Sequence, residues 1–371
     1  MNWNMKRSKT IYRFLLAGGG TGGHIFPAIA VAQKIKELKP GSEILFVGTK
    51  HKIESRVVPE LGFDFKSVWV SGFSRQFTLN NLLFPVKLVV SMIQSLMINM
   101  KFKPRVAIGS GGYAAGPAIY GAHTMGAKVM LLEQNSYPGI TNRLLEKKAE
   151  EIHITFEDSK KYFREKSKLA LTGNPTRINL KIIDKREALS SFNCSPAGKT
   201  LLVLGGSGGA LSLNNAVADS VDELTKAGIQ IIWQTGQYYY EKYKNLNSEM
   251  VKVLPFIDDM SAAYSACDLL LARAGATTIA EVSILGVPVV FVPSPYVAAN
   301  HQYKNAESIK NADACELIKD KNLGNELIDT LKKIIFDEEK LLQMKNKIKE
   351  FSKPDAAKVV AENAIKLAET A

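Results

Sequence analysis

Two segments of the chain share one design: a short apolar run, a cluster of glycines, then apolar residues at helical spacing. The first is Phe14–Ala17, followed by GGGTGGH and a periodic stretch expected to form a helix from Pro27. The second is Leu201–Leu204, followed by GGSGGA and a longer helical stretch. A strand that turns through glycines straight into a helix opens a parallel α/β unit, so two such openings in 371 residues point to two α/β domains. The likeness is one of architecture and is too weak to establish a sequence repeat.

The order of apolar runs agrees with this division. Further strands of the first unit are expected at Glu43–Val47, Val106–Ile108, Val129–Leu132, Ile152–Thr155 and Leu169–Leu171. In the second unit they are expected at Thr200–Leu204, Gln230–Trp233, Val251–Leu254, Asp268–Leu271 and Val287–Val292. Between the two sets, Thr172–Gly198 carries Pro175 and Pro196 and little continuous strand pattern, which suits a crossing between domains. The expected division is therefore 1–173, a linker at 174–198, 199–353, and a helix at 354–371 behind Pro354. That last helix either closes the second domain or returns to the first.

Composition narrows the class. With 46% hydrophobic residues and only 14 prolines, the chain can build packed cores, which excludes a disordered or collagen-like protein. Cys194, Cys267 and Cys315 are dispersed and show no CxxC spacing, so neither a disulfide framework nor a cysteine zinc site is expected, and a reducing compartment fits. Lys6, Arg7 and Lys9 precede an apolar run that breaks at Gly18, too early for an export signal. No uninterrupted apolar run is long enough to span a bilayer. The excess of 48 Lys and Arg over 36 Asp and Glu, a net +12, calls for an anionic partner: a nucleotide, a nucleic acid or a membrane surface. One segment, 82–105, is largely apolar but interrupted by Lys87 and Gln94 and flanked by Lys101, Lys103 and Arg105. It is expected either to be a buried helix or to make shallow contact with anionic lipid.

Chemistry concentrates at the strand ends. Glycines at 18–23 can let the backbone approach an anion while the following helix offers unpaired N–H groups. The loop does not end in the GK[ST] of a phosphate-binding P-loop. Small residues in GSGGYAAG at 109–116, including Gly112 and Tyr113, permit either a tight turn or a close approach to substrate. In GGSGGA, Gly206 and the Ser207 hydroxyl can receive a phosphate or sugar oxygen. His24 stands directly behind the first glycines, where a neutral imidazole can take a proton from a hydroxyl or cap the helix. Glu281, early in the helix of RAGATTIAE, can bind sugar hydroxyls or cap its helix, and Asn300, His301, Gln302 and Asn305 supply polar groups suited to a carbohydrate. Asn135 in EQN and Arg177 in GNPTR can read ligand edges and a phosphate. His301 has no partners at metal-site spacing, so no metal is expected.

Taken in order, GGGTGGHIFPAIA, GSGGY, EQNSYPGITN, GNPTR, GGSGGA, RAGATTIAE and HQYKNA closely resemble the MurG family of bacterial undecaprenyldiphospho-muramoylpentapeptide β-N-acetylglucosaminyltransferases, over nearly the whole chain. The resemblance implies a GT-B fold, with two Rossmann-like domains facing an interdomain cleft: an N-terminal acceptor and membrane-association domain and a C-terminal UDP-GlcNAc donor domain. It implies inverting, metal-independent transfer of GlcNAc from UDP-GlcNAc to the C4 hydroxyl of MurNAc on lipid I, giving lipid II and UDP for peptidoglycan synthesis, with no cofactor. On this family pattern His24 is the base, and Thr21, Gly22, Gly23, Asn135, Arg177 and Ser207 contact substrates. Ile257 in PFIDDM would meet the uracil edge beside Phe256, Ala276, Thr277 and Thr278 form the donor loop, Glu281 binds ribose, and Gln302 binds GlcNAc. The implied partners are lipid I, anionic membrane lipids and cell-wall synthesis proteins, and the implied place is the cytoplasmic face of the membrane. Three positions depart from the family pattern: Gly208 where Gln is common, Ala115 where a bulkier or polar residue occurs, and His301 for a frequent Gln. The alternatives are another GT-B transferase with a different donor or acceptor and a nucleic-acid-binding module, the latter disfavoured because no nucleic-acid reader is recognisable.

Overall fold

The computed structural model describes residues 11–72, 83–176 and 180–371. Its first domain alternates β1 (Arg13–Ala17), α1 (Gly22–Leu38), β2 (Glu43–Gly48), α2 (Glu54–Glu60), β3 (Asp64–Ser67), α3 (Phe84–Phe102), β4 (Val106–Gly109), α4 (Ala115–Thr124), β5 (Lys128–Glu133), α5 (Ile140–Leu145), β6 (Glu151–Ile154) and β7 (Leu169–Leu171). The second runs through α6 (Lys185–Ser191), β8 (Lys199–Leu204), α7 (Leu211–Lys226), β9 (Ile229–Gln234), α8 (Tyr240–Tyr243), β10 (Val251–Leu254), α9 (Met260–Ala266), β11 (Leu269–Ala272), α10 (Ala276–Leu285), β12 (Val289–Phe291), α11 (His301–Lys310), β13 (Glu316–Leu317), α12 (Leu323–Ile335) and α13 (Glu338–Lys349). A last helix, α14 (Ala356–Glu369), follows.

Both sheets are parallel, in the orders β3-β2-β1-β4-β5-β6-β7 and β10-β9-β8-β11-β12-β13. Helices cover both faces of each, so the central strands are apolar throughout: Phe14–Ala17 and Leu201–Val203 are completely buried. This is the GT-B arrangement that the motif order implied.

Four details differ from the sequence reading. Helix α1 begins at Gly22, not Pro27, and carries Pro27 within it; the proline removes only the helical bond to the Gly23 carbonyl. Strands β3 and β13 were not foreseen: β3 is a largely exposed edge strand and β13 has two residues, so neither shows a hydrophobic pattern. The expected linker contains α6, whose Ala188 and Leu189 lie in the core of the second domain, with Cys194 just behind it. Ser265 Oγ accepts the Ile183 N–H at 3.0 Å on the same side.

The terminal helix crosses back. Val360, Ala361, Ala364, Ile365 and Ala368 of α14 pack into the core formed by α1 and the first sheet. Arg105 holds its end, donating to the Ala368 carbonyl at 2.9 Å. The two crossings are neighbours, since a Cβ on Gly173 would run into the Lys353 side chain.

Helix α3 is amphipathic in the unexpected sense. Lys87, Ser91, Ser95 and Asn99, four residues apart, are buried. Val86, Val89, Ile93, Met97 and Met100 are each more than half exposed. Small side chains and Gly121 let α3 approach α4 closely, and Asn99 donates across the contact to the Ala118 carbonyl at 3.2 Å. Lys87 reaches Ser71 Oγ at 3.1 Å. Lys101 and Lys103 are exposed, but Arg105 is committed to α14 and so does not extend the basic flank. Among the described residues no helix is long and apolar enough to cross a membrane.

Ala364 has no exposed surface at the α1–α14 contact. Ala364→Leu should overpack it and lower unfolding stability by about 1–3 kcal/mol in denaturant melts. An unchanged midpoint would show that this contact can expand freely.

Candidate active site

A parallel sheet opens a crevice where strand order reverses, because adjacent strands there send their chains to opposite faces. In the first sheet that point lies between β1 and β4, and in the second between β8 and β11. The loops leaving these four strands are GGGT, GSGGY, GGSGGA and RAG, four of the segments singled out by sequence.

Three helix N-termini start from these loops: α1 behind Thr21, α7 behind Ala210 and α10 behind Gly275. None has a side-chain cap or an acidic residue in its first turn. Their outward N–H groups and helix dipoles suit a negatively charged ligand. The loops face each other across the domains: a Cβ on Gly22 would lie 3.7 Å from Ser207 Oγ.

Packing forces the glycines. Gly112 has φ +84°, and a Cβ there would overlap the Gly19 carbonyl, so this residue seats the second loop directly on the first. Glu54, buried beneath, accepts the Gly20 N–H at 3.0 Å and the Thr49 hydroxyl at 2.7 Å. Tyr113 is 56% exposed beside these loops.

His24 lies in the first turn of α1, its ring against Gly111. Its Nδ1 is 3.2 Å from Gln134 Oε1. Gln134 Nε2 donates to the Leu132 carbonyl at 3.3 Å, which turns Oε1 toward the imidazole. A carbonyl oxygen can only accept, so Nδ1 carries the ring proton and Nε2 keeps its lone pair. Below them Glu133 is almost inaccessible and accepts from the Asn135 N–H, the Gly139 N–H and Asn142 Nδ2 at 2.9–3.0 Å. Burial is the largest influence on this carboxyl and raises its pKa above the ordinary value, against the opposing pull of those hydrogen bonds and of His24.

In the second domain, Gln234 is a residue that the sequence did not single out. It joins two loops, donating Nε2 to the Gly206 carbonyl at 3.1 Å and accepting the Ile257 N–H at 2.9 Å. The Ile257 N–H is thus already engaged, leaving the carbonyl as the part of that backbone for a base edge. Phe256 beside it is 42% exposed. No motif flagged Gln234, because the end of a buried strand looks like core. Arg273, which opens the RAGATTIAE motif but was given no role from sequence, is buried and bridges Asp320 at 2.5 Å and Ser212 at 2.7 Å, fixing the start of α7 to the RAG loop.

Ala276 is buried, and Thr277 and Thr278 are half-buried at the head of α10. Glu281, one turn further, is 4% exposed and accepts the Tyr264 hydroxyl at 2.8 Å. Gln302 and His301 begin α11, and Gln302 Oε1 accepts the Ser294 N–H at 2.8 Å. Asn305 does not belong with them: it has no exposed surface and turns toward the other domain, so the expected carbohydrate role is withdrawn for this residue. It lies one turn beyond His301, where Ser136 of the first domain covers it, which a count of nearby amides does not reveal. Arg177 lies outside the described residues.

Two family models match the two domains in turn. The glycosyltransferase family 28 N-terminal domain matches residues 14–154, and its C-terminal domain matches residues 200–360. The chain belongs to glycosyltransferase family 28. Within this family 28 fold, a curated relative from Flavobacterium psychrophilum is 43% identical over 97% of this chain and 98% of its own length. Another from Cytophaga hutchinsonii is 40% identical over 97% and 98%. Both are named UDP-N-acetylglucosamine--N-acetylmuramyl-(pentapeptide) pyrophosphoryl-undecaprenol N-acetylglucosamine transferase. The crystal structure of Acinetobacter baumannii MurG superposes with a TM-score of 0.75 at 27% identity, covering 96% of this chain and 99% of that one.

A carboxyl with a raised pKa binds protons in the fold that the unfolded chain has released, so its share of stability is complete below the ordinary carboxylate value and falls as pH rises through the folded value. Glu133→Gln should remove that decline. The slope of unfolding free energy against pH, measured above about pH 4.5 as a typical carboxylate value, should be less negative in the variant. Parallel slopes would mean that Glu133 titrates as it does in the unfolded chain.

Proposed function

We propose that this family 28 glycosyltransferase moves GlcNAc from UDP-GlcNAc to the C4 hydroxyl of MurNAc on lipid I, producing β-linked lipid II and UDP. The observation that carries the reading is the facing pair of loops, with His24 behind one and Ser207 in the other. It stands on 40–43% identity, over nearly the whole chain, to relatives named for that transfer.

In the proposed step, the acceptor oxygen bonds to the anomeric carbon as the bond from that carbon to the UDP β-phosphate oxygen breaks, inverting the configuration. The acceptor proton passes to His24 Nε2, the ring atom left with a lone pair by the Gln134 contact. Buried Glu133 stabilises the imidazolium that forms. Charge growing on UDP is met by N–H groups of GGSGGA and the α7 and α10 termini, a form of electrostatic stabilisation that requires neither a metal nor an enzyme nucleophile. Thr21, Gly22, Gly23, Gly112, Tyr113 and Asn135 are assigned to the acceptor side and the reacting sugar. Gly206, Ser207, Ile257, Phe256, Ala276, Thr277, Thr278, Glu281, His301 and Gln302 are assigned to the donor, with Arg177 meeting phosphate. For Glu281 to hold ribose, its carboxylate must be shared with Tyr264.

The exposed apolar face of α3, ending in Lys101 and Lys103, supports docking on anionic lipid, and the cytoplasmic leaflet is the proposed surface. Burial of the polar stripe is what frees the apolar one, so the helix lies along the membrane and does not cross it. Cell-wall synthesis proteins on the same surface are proposed as partners.

With lipid I and UDP-GlcNAc, the purified protein should form β-linked lipid II; UDP release without it would overturn the reading, and UDP-GalNAc or UDP-glucose turning over equally well would assign another donor. His24→Ala should slow single-turnover transfer by about 10²–10⁴-fold with UDP affinity nearly unchanged. Equal rates at neutral pH would remove His24 from the chemistry. Sedimentation with vesicles of anionic phospholipid should weaken for the double substitution Lys101→Ala and Lys103→Ala, and further when Ile93→Ser and Met97→Ser are added. Wild-type binding by all these variants would place the membrane contact elsewhere.

A further inference from the structure

We infer that Asn305 is a positioning residue that registers the donor-sugar helix against the loop holding the catalytic imidazole. The inference deepens the proposed transfer and rests on it. Asn305 lies on α11, one turn beyond His301, and its amide is fully buried. A buried carboxamide is costly unless both of its ends are used, and here both are. Oδ1 accepts the Ser136 N–H and the Ser136 hydroxyl, each at 2.9 Å. Nδ2 faces Asn135 Oδ1 at 3.2 Å and the Ala274 carbonyl at 3.5 Å.

These contacts join three different pieces of the site. Ser136 and Asn135 follow β5 in the first domain, Ala274 heads the donor loop in the second, and Asn305 carries the helix of Gln302. Neighbouring residues of α11 point the same way: Lys304 lies 4.0 Å from the centre of the Tyr137 ring, and Ser308 donates to Asp158 at 2.6 Å. Those two contacts involve flexible or exposed side chains, whereas Asn305 sits between them without exposed surface and makes directional bonds. The chain of contact continues inward. Asn135 is adjacent to Gln134, which sets the His24 ring, and both directly follow Glu133 in the chain. The distance between GlcNAc on α11 and the base on α1 is therefore set through Ser136 and Asn305, and a small error in this register costs rate much more than nucleotide affinity.

The test compares Asn305→Ala, Ser136→Ala and the double variant. Asn305→Ala should slow single-turnover transfer 10- to 100-fold while the Kd for UDP, whose proposed contacts lie outside the first domain, stays within twofold. Ser136→Ala should slow it by a smaller factor, and the double variant should be no slower than Asn305→Ala, because both act through one contact. Hydrogen exchange at the Ser136 amide, which needs no turnover, should quicken at least tenfold in Asn305→Ala. An unchanged rate, a parallel loss of UDP affinity, multiplying effects or unaltered Ser136 exchange would each overturn the inference. Should Asn305→Ala fail to fold, Ser136→Ala decides: a slower transfer at unchanged UDP affinity supports the role, and a wild-type rate overturns it. Wild-type lipid II formation tests the underlying reaction separately, and if that reaction fails the exchange result alone settles the contact.

Discussion

The backbone-to-backbone approach of two loops is the constraint on which the site depends. Gly112 sits on the Gly19 carbonyl with no room for a side chain, and this contact joins the ends of β1 and β4 at the point where strand order reverses. From there α1 leaves with its first N–H groups uncovered, and the imidazole of its first turn is brought onto Gly111. In the second sheet Gly209 is seated on the Thr235 carbonyl, which joins the loops after β8 and β9 beside the β8–β11 reversal, and α7 leaves with its first N–H groups likewise uncapped. Two sheets that reverse beside their central strands give two crevices, and turning them toward each other makes one cleft with anion-binding helix ends on both walls.

Much of this was legible because buried parallel strands are short apolar runs and glycine loops interrupt them at the functional edge. Leu169–Leu171 and Val251–Leu254, both partly buried edge strands, match the observed strands at both ends, and the interior strands agree closely. Strand β3 escaped because an exposed edge carries no apolar signal, and β13 because two residues carry no period. In the site, His24 and Ser207 were visible from their loops, while Gln134 as the partner that chooses the tautomer required a distance. The bridging roles of Gln234 and of Arg273, the latter inside the quoted RAGATTIAE motif, were hidden for a different reason: they serve loops distant in sequence, and single-sequence reading cannot distinguish a buried polar hub from an ordinary strand end.

Helix α3 shows how a net charge and a hydropathy profile can both mislead when read by segment. Its lysine at position 87 looked like an interruption of an apolar run, but it lies on the buried polar stripe with Ser91, Ser95 and Asn99. Small polar groups packed against Gly121 permit a close helix pair, and the larger apolar residues are displaced outward as a result. The excess of positive charge is likewise divided between tasks: Lys101 and Lys103 face solvent, whereas Arg105 is spent on the end of α14.

The return of α14 to the first domain has a consequence for the order of synthesis. The first domain is discontinuous in sequence, since Val360, Ala364 and Ala368 complete the hydrophobic layer over Phe14 and Val31. During translation the second domain can assemble its sheet while the first still lacks one covering helix, and that exposed surface must wait for more than 180 intervening residues. A helix made only after the whole second domain thus finishes the first, and the double crossing at Gly173 and Lys353 is closed only at that moment.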